Sequence, residues 1–316
     1  MIIFLKFILK VFISALVLAF LFSFVYNRWV SPDVTGNARS MQPEGEFITV
    51  DGYTVRMVSY GSGGRTFVLL HDFGSSADTW KKLASYLDDD NTVYALDLAG
   101  FGYSDRGAKI DYRMEKRVER MDRIIQTLGI REAIFGGNGF GANLALAYAE
   151  DYPEKVGDLV LISPSLYRRS FPIPKFLFKI PEISSTTVKL AFSPTRLRKQ
   201  YLKSFFDQTV PTEEEIANYL RPYTIQGTED TIEQFYTQDD TVTYDETRVS
   251  VSTLVIYGNK DKYVPKADMD HLLAAMSNAR IVNIENVGHF AQEEAPSTVG
   301  DEMLNFLSDS TRKSSI

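Results

Sequence analysis

The 316-residue chain contains no cysteine, only three histidines and fewer basic than acidic side chains. The absence of cysteine excludes disulfides, thiolate metal sites and a cysteine nucleophile. Imidazole chemistry is limited to His71, His271 and His289. With 34 Lys and Arg against 41 Asp and Glu, the net charge of -7 argues against a nucleic-acid partner, because phosphate binding needs a cationic surface.

Charge is also nearly absent from the first 30 residues, where Lys6 and Lys10 precede an uncharged run from Val11 to Tyr26. As a helix this run spans about 24 Å, and its flanks extend it, which predicts a membrane anchor at residues 1–30. A cleaved signal peptide is the alternative, but the run ends in bulky side chains rather than small ones. The positive charges before the run predict a cytoplasmic N-terminus and an extracytoplasmic main domain.

Residues 31–43 contain Pro, Gly, Asn and Ser without apolar periodicity, which predicts a tether. From residue 44 onward, short β-rich runs alternate with helical segments, a pattern typical of an α/β fold with a mostly parallel sheet between helices. The alternation breaks at residues 165–248, which have helical pieces and no clear strand. The sequence thus predicts a core of residues 44–164 and 249–308, a helical insertion at 165–248 and a flexible tail at 309–316.

Several turns that follow predicted strands carry polar or glycine-rich motifs, and in open α/β sheets such turns gather at the carboxyl edge. One contains His71, Asp72, Phe73 and Gly74, and another runs Gly137-Asn138-Gly139-Phe140-Gly141 directly into an Ala-rich helix. Asp261 and His289 follow the last two strands. The order and spacing of these turns resemble the α/β-hydrolase superfamily, most closely its esterase, lipase and C–C hydrolase branch, with the insertion at the place of the family's lid.

The resemblance implies a role for each matching residue. Asp261 corresponds to the acid, His289 to the base, and the amides of Phe73 and Phe140 to the oxyanion hole. His71, Asp72, Gly74, Gly137 and Gly141 correspond to positions that support these motifs. The nucleophile position of the Gly-x-Ser-x-Gly elbow is held by Gly139. Because glycine has no nucleophilic atom, the acyl-serine route is closed in the chain as written.

Three explanations of Gly139 compete: natural loss of the nucleophile, removal of a serine for study, or replacement by another residue. Replacement is the least favoured, because Asn138 is expected to point away and Ser75 and Ser76 lie on the oxyanion side. Asp72 favours natural loss, since the family usually has glycine there and a carboxylate opposes oxyanion charge unless it turns away. A dinucleotide fingerprint, Gly137-x-Gly139-x-x-Ala142, is a weak rival, because it lies outside the first βαβ unit.

The insertion opens with an apolar, aromatic segment containing lysines, from Phe171 to Pro181. This composition suits contact with lipids, although packing onto the core explains it equally well. We therefore expect a membrane-anchored hydrolase-fold protein that resembles esterases and lipases acting on apolar acyl molecules and that is inactive as written. The alternative is a natural pseudoenzyme that binds a lipid or small ligand or acts as a scaffold. No cofactor is expected.

Overall fold

The computed structural model describes residues 2–29, 36, 38–165, 178–238 and 245–314. Its centre is an eight-stranded sheet in the order β1-β2-β4-β3-β5-β6-β7-β8. β2 is antiparallel to both of its neighbours, and the remaining strand pairs are parallel. The strands are β1 (Glu46–Val50), β2 (Tyr53–Tyr60), β3 (Thr66–Leu70), β4 (Thr92–Leu96), β5 (Ala133–Asn138), β6 (Val156–Ile162), β7 (Ser252–Gly258) and β8 (Ala279–Ile284).

Helices cover both faces of the sheet, as the alternating pattern predicts. Those of the core are α2 (Lys81–Ala84), α3 (Met114–Thr127), α4 (Phe140–Asp151), α9 (Lys266–Ala275), α10 (Ala291–Glu294) and α11 (Pro296–Ser314). The insertion contributes α5 (Pro181–Ala191), α6 (Pro194–Lys203), α7 (Glu213–Leu220) and α8 (Thr228–Thr237). The last helix extends into the segment expected to be a flexible tail, and within it Ser310 donates a hydrogen bond to Asp158.

Alternate residues of the central strands face two separate apolar cores, because successive side chains of a strand point to opposite faces. In β3, Val68 and Leu70 join the core on the side of α3 and α4, whereas Phe67 and Leu69 join the one beside α2 and α11. Strand order places β3 directly beside β5, and β7 beside β8. The loops that leave these four strands therefore meet at one edge of the sheet.

The N-terminal helix α1 (Ile2–Trp29) lies outside this body over most of its length. Most of its large apolar side chains from Phe4 to Val25 are exposed, and by length and composition the helix could cross a membrane or serve as a signal sequence. Its last turns pack against α5, where Ser23 is buried and Asn27 forms hydrogen bonds. The N-terminal helix thus contacts the insertion, which in turn packs on the core.

Candidate functional site

The turn between β5 and α4 has the sharp geometry of a strand-to-helix elbow. Gly139 adopts φ +53° and ψ −112°, in the left-handed half of the backbone map where glycine is favoured. Its neighbours must also be small, because a Cβ at Gly137 would strike the backbone of Gly141 and one at Gly141 would strike the carbonyl of Leu70. The local sequence therefore retains the elbow while lacking the side chain that the elbow presents.

The loop after β3 is fixed by the buried ring of His71. Its Nδ1 donates to the carbonyl oxygen of Asp72 at 2.7 Å, and its Nε2 accepts from the amide of Leu98 at 2.9 Å. Burial lowers the pKa of His71, so the ring is neutral, as these two bonds require. His71 thus orients the backbone that carries Asp72.

The carboxylate of Asp72 occupies the space directly above Gly139. Its Oδ1 accepts a hydrogen bond from the amide of Phe140 at 2.7 Å, and its Oδ2 lies 3.1 Å from Nε2 of His289. A Cβ added to Gly139 would lie 2.9 Å from Oδ2 and closer still to Oδ1 and Cγ. The space of the absent nucleophile side chain is therefore filled by a carboxylate from a neighbouring loop.

The structure shows how the elbow and the Asp72 loop fit together. The glycine does not leave extra room where a serine would stand, because Asp72 already fills it. The Asp72 carboxylate also does not turn away from the oxyanion position, since it accepts the Phe140 amide itself. From the sequence, replacement of the nucleophile by another residue was the least favoured explanation. The residues weighed as replacements were Asn138, Ser75 and Ser76, and Asp72 was not among them. Asn138 is indeed directed away, donating to the carbonyl oxygens of Ile162 and His289.

Asp261 and His289 meet at the end of β7 and β8. Nδ1 of His289 donates to Oδ2 of Asp261 at 2.8 Å, and Oδ1 of Asp261 accepts the amides of Tyr263 and Val264. The insertion holds the same loop, because the amide of His289 donates to the carbonyl oxygen of Ser204 at 2.7 Å. His289 therefore bridges two carboxylates, Asp261 and Asp72, in a continuous buried chain.

The charges in this chain favour a protonated His289. Burial opposes protonation, but the Asp261 carboxylate, with a contribution from Asp72, outweighs it and raises the pKa of His289 to about 10. Desolvation likewise opposes ionisation of Asp261, but the His289 charge and hydrogen bonds lower its pKa overall. At neutral pH the imidazolium donates to both carboxylates and is not free to accept a proton.

Stability should consequently fall as the pH rises. A His pKa raised from 6.5 to about 10 on folding contributes stability that is complete below pH 6.5 and is lost as the pH rises through about 10. We expect the melting temperature of the protein to fall by roughly 5 °C or more between pH 7 and pH 10. Differential scanning fluorimetry would measure it, with His289→Gln as the control. If the melting temperature of His289→Gln fell with pH as steeply as that of the unmodified protein, the raised pKa of His289 would not be the cause.

Aromatic rings roof the elbow. The ring of Phe73 packs against Phe101 at 4.8 Å and against Phe235 of α8 at 4.5 Å, and Phe140 lies 5.4 Å from Phe235 between ring centroids. Phe192, at the end of α5, approaches Phe73 from the other side at 6.4 Å. These five residues, the aromatic roof, join the insertion to the elbow and to the loop that carries Asp72.

Other parts of the sequence prediction lie elsewhere. Phe178 is buried and stacks on Tyr236, while residues 171–177 lie outside the described residues. His271 is largely exposed, and its Nδ1 lies 3.6 Å from Oε1 of Glu246. A cavity of about 300 Å³ beside α2 and α7 is lined by charged side chains, including Arg56, Lys82 and Glu215, and its lining does not include Asp72, Gly139 or His289.

Comparison with known proteins agrees with this fold. A chain of Bacillus subtilis named "Uncharacterized hydrolase YugF" is 28% identical over 263 residues, covering 82% of this chain and 96% of its own. Lipase 1 of Psychrobacter immobilis is 25% identical over 258 residues, covering 78% and 77%. The crystal structure of a bacterial membrane phospholipase A superposes with a TM-score of 0.71 at 22% identity, covering 97% of this chain and 99% of that one.

Curated relatives include lipases and C–C bond hydrolases, which supports a hydrolase-fold protein of the esterase and lipase kind. The sequence model described as the α/β hydrolase fold matches residues 65–296, which span the sheet from β3, the insertion, the elbow and the loops of Asp261 and His289. This chain belongs to the α/β-hydrolase fold family.

Proposed function

We propose that this chain is a membrane-anchored α/β-hydrolase-fold protein that binds an apolar, membrane-derived molecule and does not cleave acyl esters through a serine. The observation that carries the proposal is the Asp72 carboxylate above Gly139, hydrogen-bonded to Phe140 and His289. An ester carbonyl would need the Phe140 amide that Asp72 occupies. At the described elbow, position 139 has no hydroxyl, and the Phe140 amide is already bonded to Asp72.

Natural loss of the serine accounts for this site better than its removal for study. Two departures from the family pattern, Asp72 and Gly139, complement each other in space, because a side chain at 139 would overlap the carboxylate. A single substitution made to inactivate an enzyme would leave the family's glycine at position 72. Asp72 in this position therefore requires a glycine at position 139.

Membrane anchoring is supported by the exposure of α1 and by where it ends. Asn27, in its last turn, donates to the carbonyl oxygen and the carboxylate of Glu182 at 2.9 and 3.1 Å. Thr186 and Lys189 of α5 donate to its Oδ1. A helix that leaves the bilayer at Asn27 would hold α5, and with it the insertion, at the level of the lipid headgroups.

A ligand from the membrane would therefore meet the insertion first. Beneath α5 lies the aromatic roof, whose rings offer apolar surface above the elbow. Asp72 and Asp261 together carry one more negative charge than the His289 between them can balance, so the site disfavours a further carboxylate at the elbow. The proposed ligand is thus a neutral apolar molecule such as a monoacylglycerol rather than a free fatty acid.

Lipid binding tests the proposal directly. We expect native mass spectrometry from detergent micelles to show a bound monoacylglycerol, and we expect p-nitrophenyl ester hydrolysis no faster than in His289→Ala. Phe192→Asp should weaken binding about tenfold, because it places a charge in the aromatic roof. The matched control is Phe206→Asp, since Phe206 is exposed outside the roof.

Three results would contradict the proposal. Rapid hydrolysis of acyl esters by the unmodified chain would show that the site retains acyl-transfer chemistry. Absence of binding by every neutral lipid tried, with the fold intact by circular dichroism, would favour a scaffolding role for the same fold. Equal losses in Phe192→Asp and Phe206→Asp would place any binding outside the aromatic roof.

A further inference from the structure

We propose that the cavity beside α2 and α7 is a second binding site, for a small neutral molecule with several hydroxyl groups, such as a monosaccharide. The inference goes beyond the proposed function, because the lining of this cavity does not include Asp72, Gly139 or His289. Its volume of about 300 Å³ is at the lower end of the usual range for ligand pockets, roughly 300–1,000 Å³, which selects a small ligand.

Three separate parts of the chain form the cavity wall. The core supplies Arg56 and Glu293, the segment before β1 supplies Glu44, and the insertion supplies Tyr201 of α6 and Tyr219 of α7. Arg56 and Glu293 are buried, whereas the Glu44 side chain is exposed, so the cavity runs from the surface toward the core. A ligand in it would contact the core and the insertion together.

The ionic side chains of the wall are matched in sign. Arg56 forms ion pairs with Asp78 and, at 3.2 Å, with Asp97, and Nζ of Lys82 lies 2.8 Å from Oε1 of Glu215. Two further acids and two further bases line the cavity: Glu44, Glu214, Lys81 and Arg221. A charged ligand would therefore meet like charges as well as opposite ones, and the wall favours a molecule without net charge.

The buried end of the cavity adds only part of a charge. Oε1 of Glu293 accepts a hydrogen bond from the Thr79 hydroxyl, and Oε2 accepts one from the Tyr201 hydroxyl at 2.6 Å. Burial outweighs these bonds and raises the pKa of Glu293 to about 7, so the carboxyl group is less than fully ionised at neutral pH. The bond to Tyr201 also fixes the α6 side of the cavity.

A hydroxyl is the ligand group that fits such a wall. An ion pair presents a donor beside an acceptor, and a hydroxyl both donates and accepts, whereas a carboxylate only accepts and an ammonium only donates. Two other polar groups of the lining, the Ser75 hydroxyl and the Asn218 side-chain amide, have no hydrogen-bond partner among the described residues. A molecule with several hydroxyls would satisfy both groups and bridge the ion pairs as well.

Stacked tyrosines add apolar surface to the polar wall. The ring centroids of Tyr201 and Tyr219 lie 4.3 Å apart, with 20° between the ring planes, and both residues line the cavity. A monosaccharide carries C–H groups on its ring faces and hydroxyls at its edge, so it suits a wall of tyrosine rings and polar groups. A purely apolar ligand would leave Ser75 and Asn218 without partners. The cavity is therefore unsuited to an acyl chain.

Saturation-transfer difference NMR tests the site with the full-length chain in lauryldimethylamine oxide, a detergent without a sugar headgroup. We expect saturable binding of D-glucose, and about fivefold weaker binding of D-glucuronate and protonated D-glucosamine, which place one charge on the same ring. Ser75→Ala and Asn218→Ala should each weaken glucose binding about fivefold, through the loss of one hydrogen bond. The matched control is Asn305→Ala, since Asn305 is exposed on α11 outside the cavity lining.

Any of three results would overturn the assignment. Absence of saturation transfer to D-glucose, myo-inositol and glycerol, with the fold intact by circular dichroism, would exclude a site for hydroxyl groups. If neither Ser75→Ala nor Asn218→Ala weakened binding more than Asn305→Ala, the sugar would bind outside the cavity. Equal or tighter binding of either charged sugar would contradict the selection of a neutral ligand. Monoacylglycerol binding is measured separately, so failure here leaves the proposed function intact.

Discussion

Gly139→Ser alone should yield no ester hydrolase, whereas Gly139→Ser combined with Asp72→Gly should hydrolyse p-nitrophenyl acetate about 100-fold or more above background. In the single variant the serine Cβ overlaps the Asp72 carboxylate, and the Phe140 amide stays occupied. The double variant clears the space and frees the amide. It also removes one of the two carboxylates that raise the pKa of His289, so the ring moves toward the neutral form that a general base requires.

The control for this experiment is His289→Ala in the double-variant background, because it removes the base and leaves the serine and the oxyanion site. Asp72→Gly alone should be inactive, since it supplies no nucleophile. Circular dichroism should show each variant folded. Equal activity in the single and double variants would mean that Asp72 moves aside freely and that the observed carboxylate position is not a barrier.

Local patterns in the sequence were enough to predict most of the fold. The alternation of β-rich and helical segments from residue 44 predicted a mostly parallel sheet between helices, and the α/β-hydrolase fold is confirmed by the family match. The rule that parallel strands end at a common edge predicted that the turns with Gly139, Asp261 and His289 lie near one another, and the resemblance to the α/β-hydrolase motifs implied their roles. These predictions succeed because each depends on periodicity within one element and on a general rule of sheet topology.

The conformation of Asp72 could not be predicted in this way. It depends on β3 lying beside β5, on the His71 ring that fixes the loop, and on the volume left open by Gly139. The signal was present, since a carboxylate at 72 and a missing side chain at 139 are two departures in adjoining motifs. Only the packing of β3 beside β5 shows that one of these residues fills the space left by the other.

The docking of α1 onto α5 was missed for a similar reason. Ser23 and Asn27 are four residues apart and so share one helix face, which is a polar face on the end of an otherwise apolar helix. A polar pair of this kind indicates a protein partner at that depth, because polar groups are disfavoured in hydrocarbon. The identity of the partner is a long-range contact that no local pattern in either segment reveals.

Removing residues 1–37 should therefore change both location and stability. The full chain should stay in the membrane fraction after carbonate extraction, and the shortened chain should be soluble, because its apolar helix is gone. The shortened chain should also melt at a lower temperature and be cut faster by protease within α5, because α5 loses Asn27 and the packing of Ser23. In the full chain, Asn27→Ala should lower the free energy of unfolding by about 1–2 kcal/mol, which is part of this effect, while the variant protein stays in the membrane fraction.

Protease added to intact cells should reach the main domain, and cleavage only after permeabilisation would reverse the proposed orientation. A mature form beginning after about residue 26 would instead identify α1 as a cleaved signal sequence.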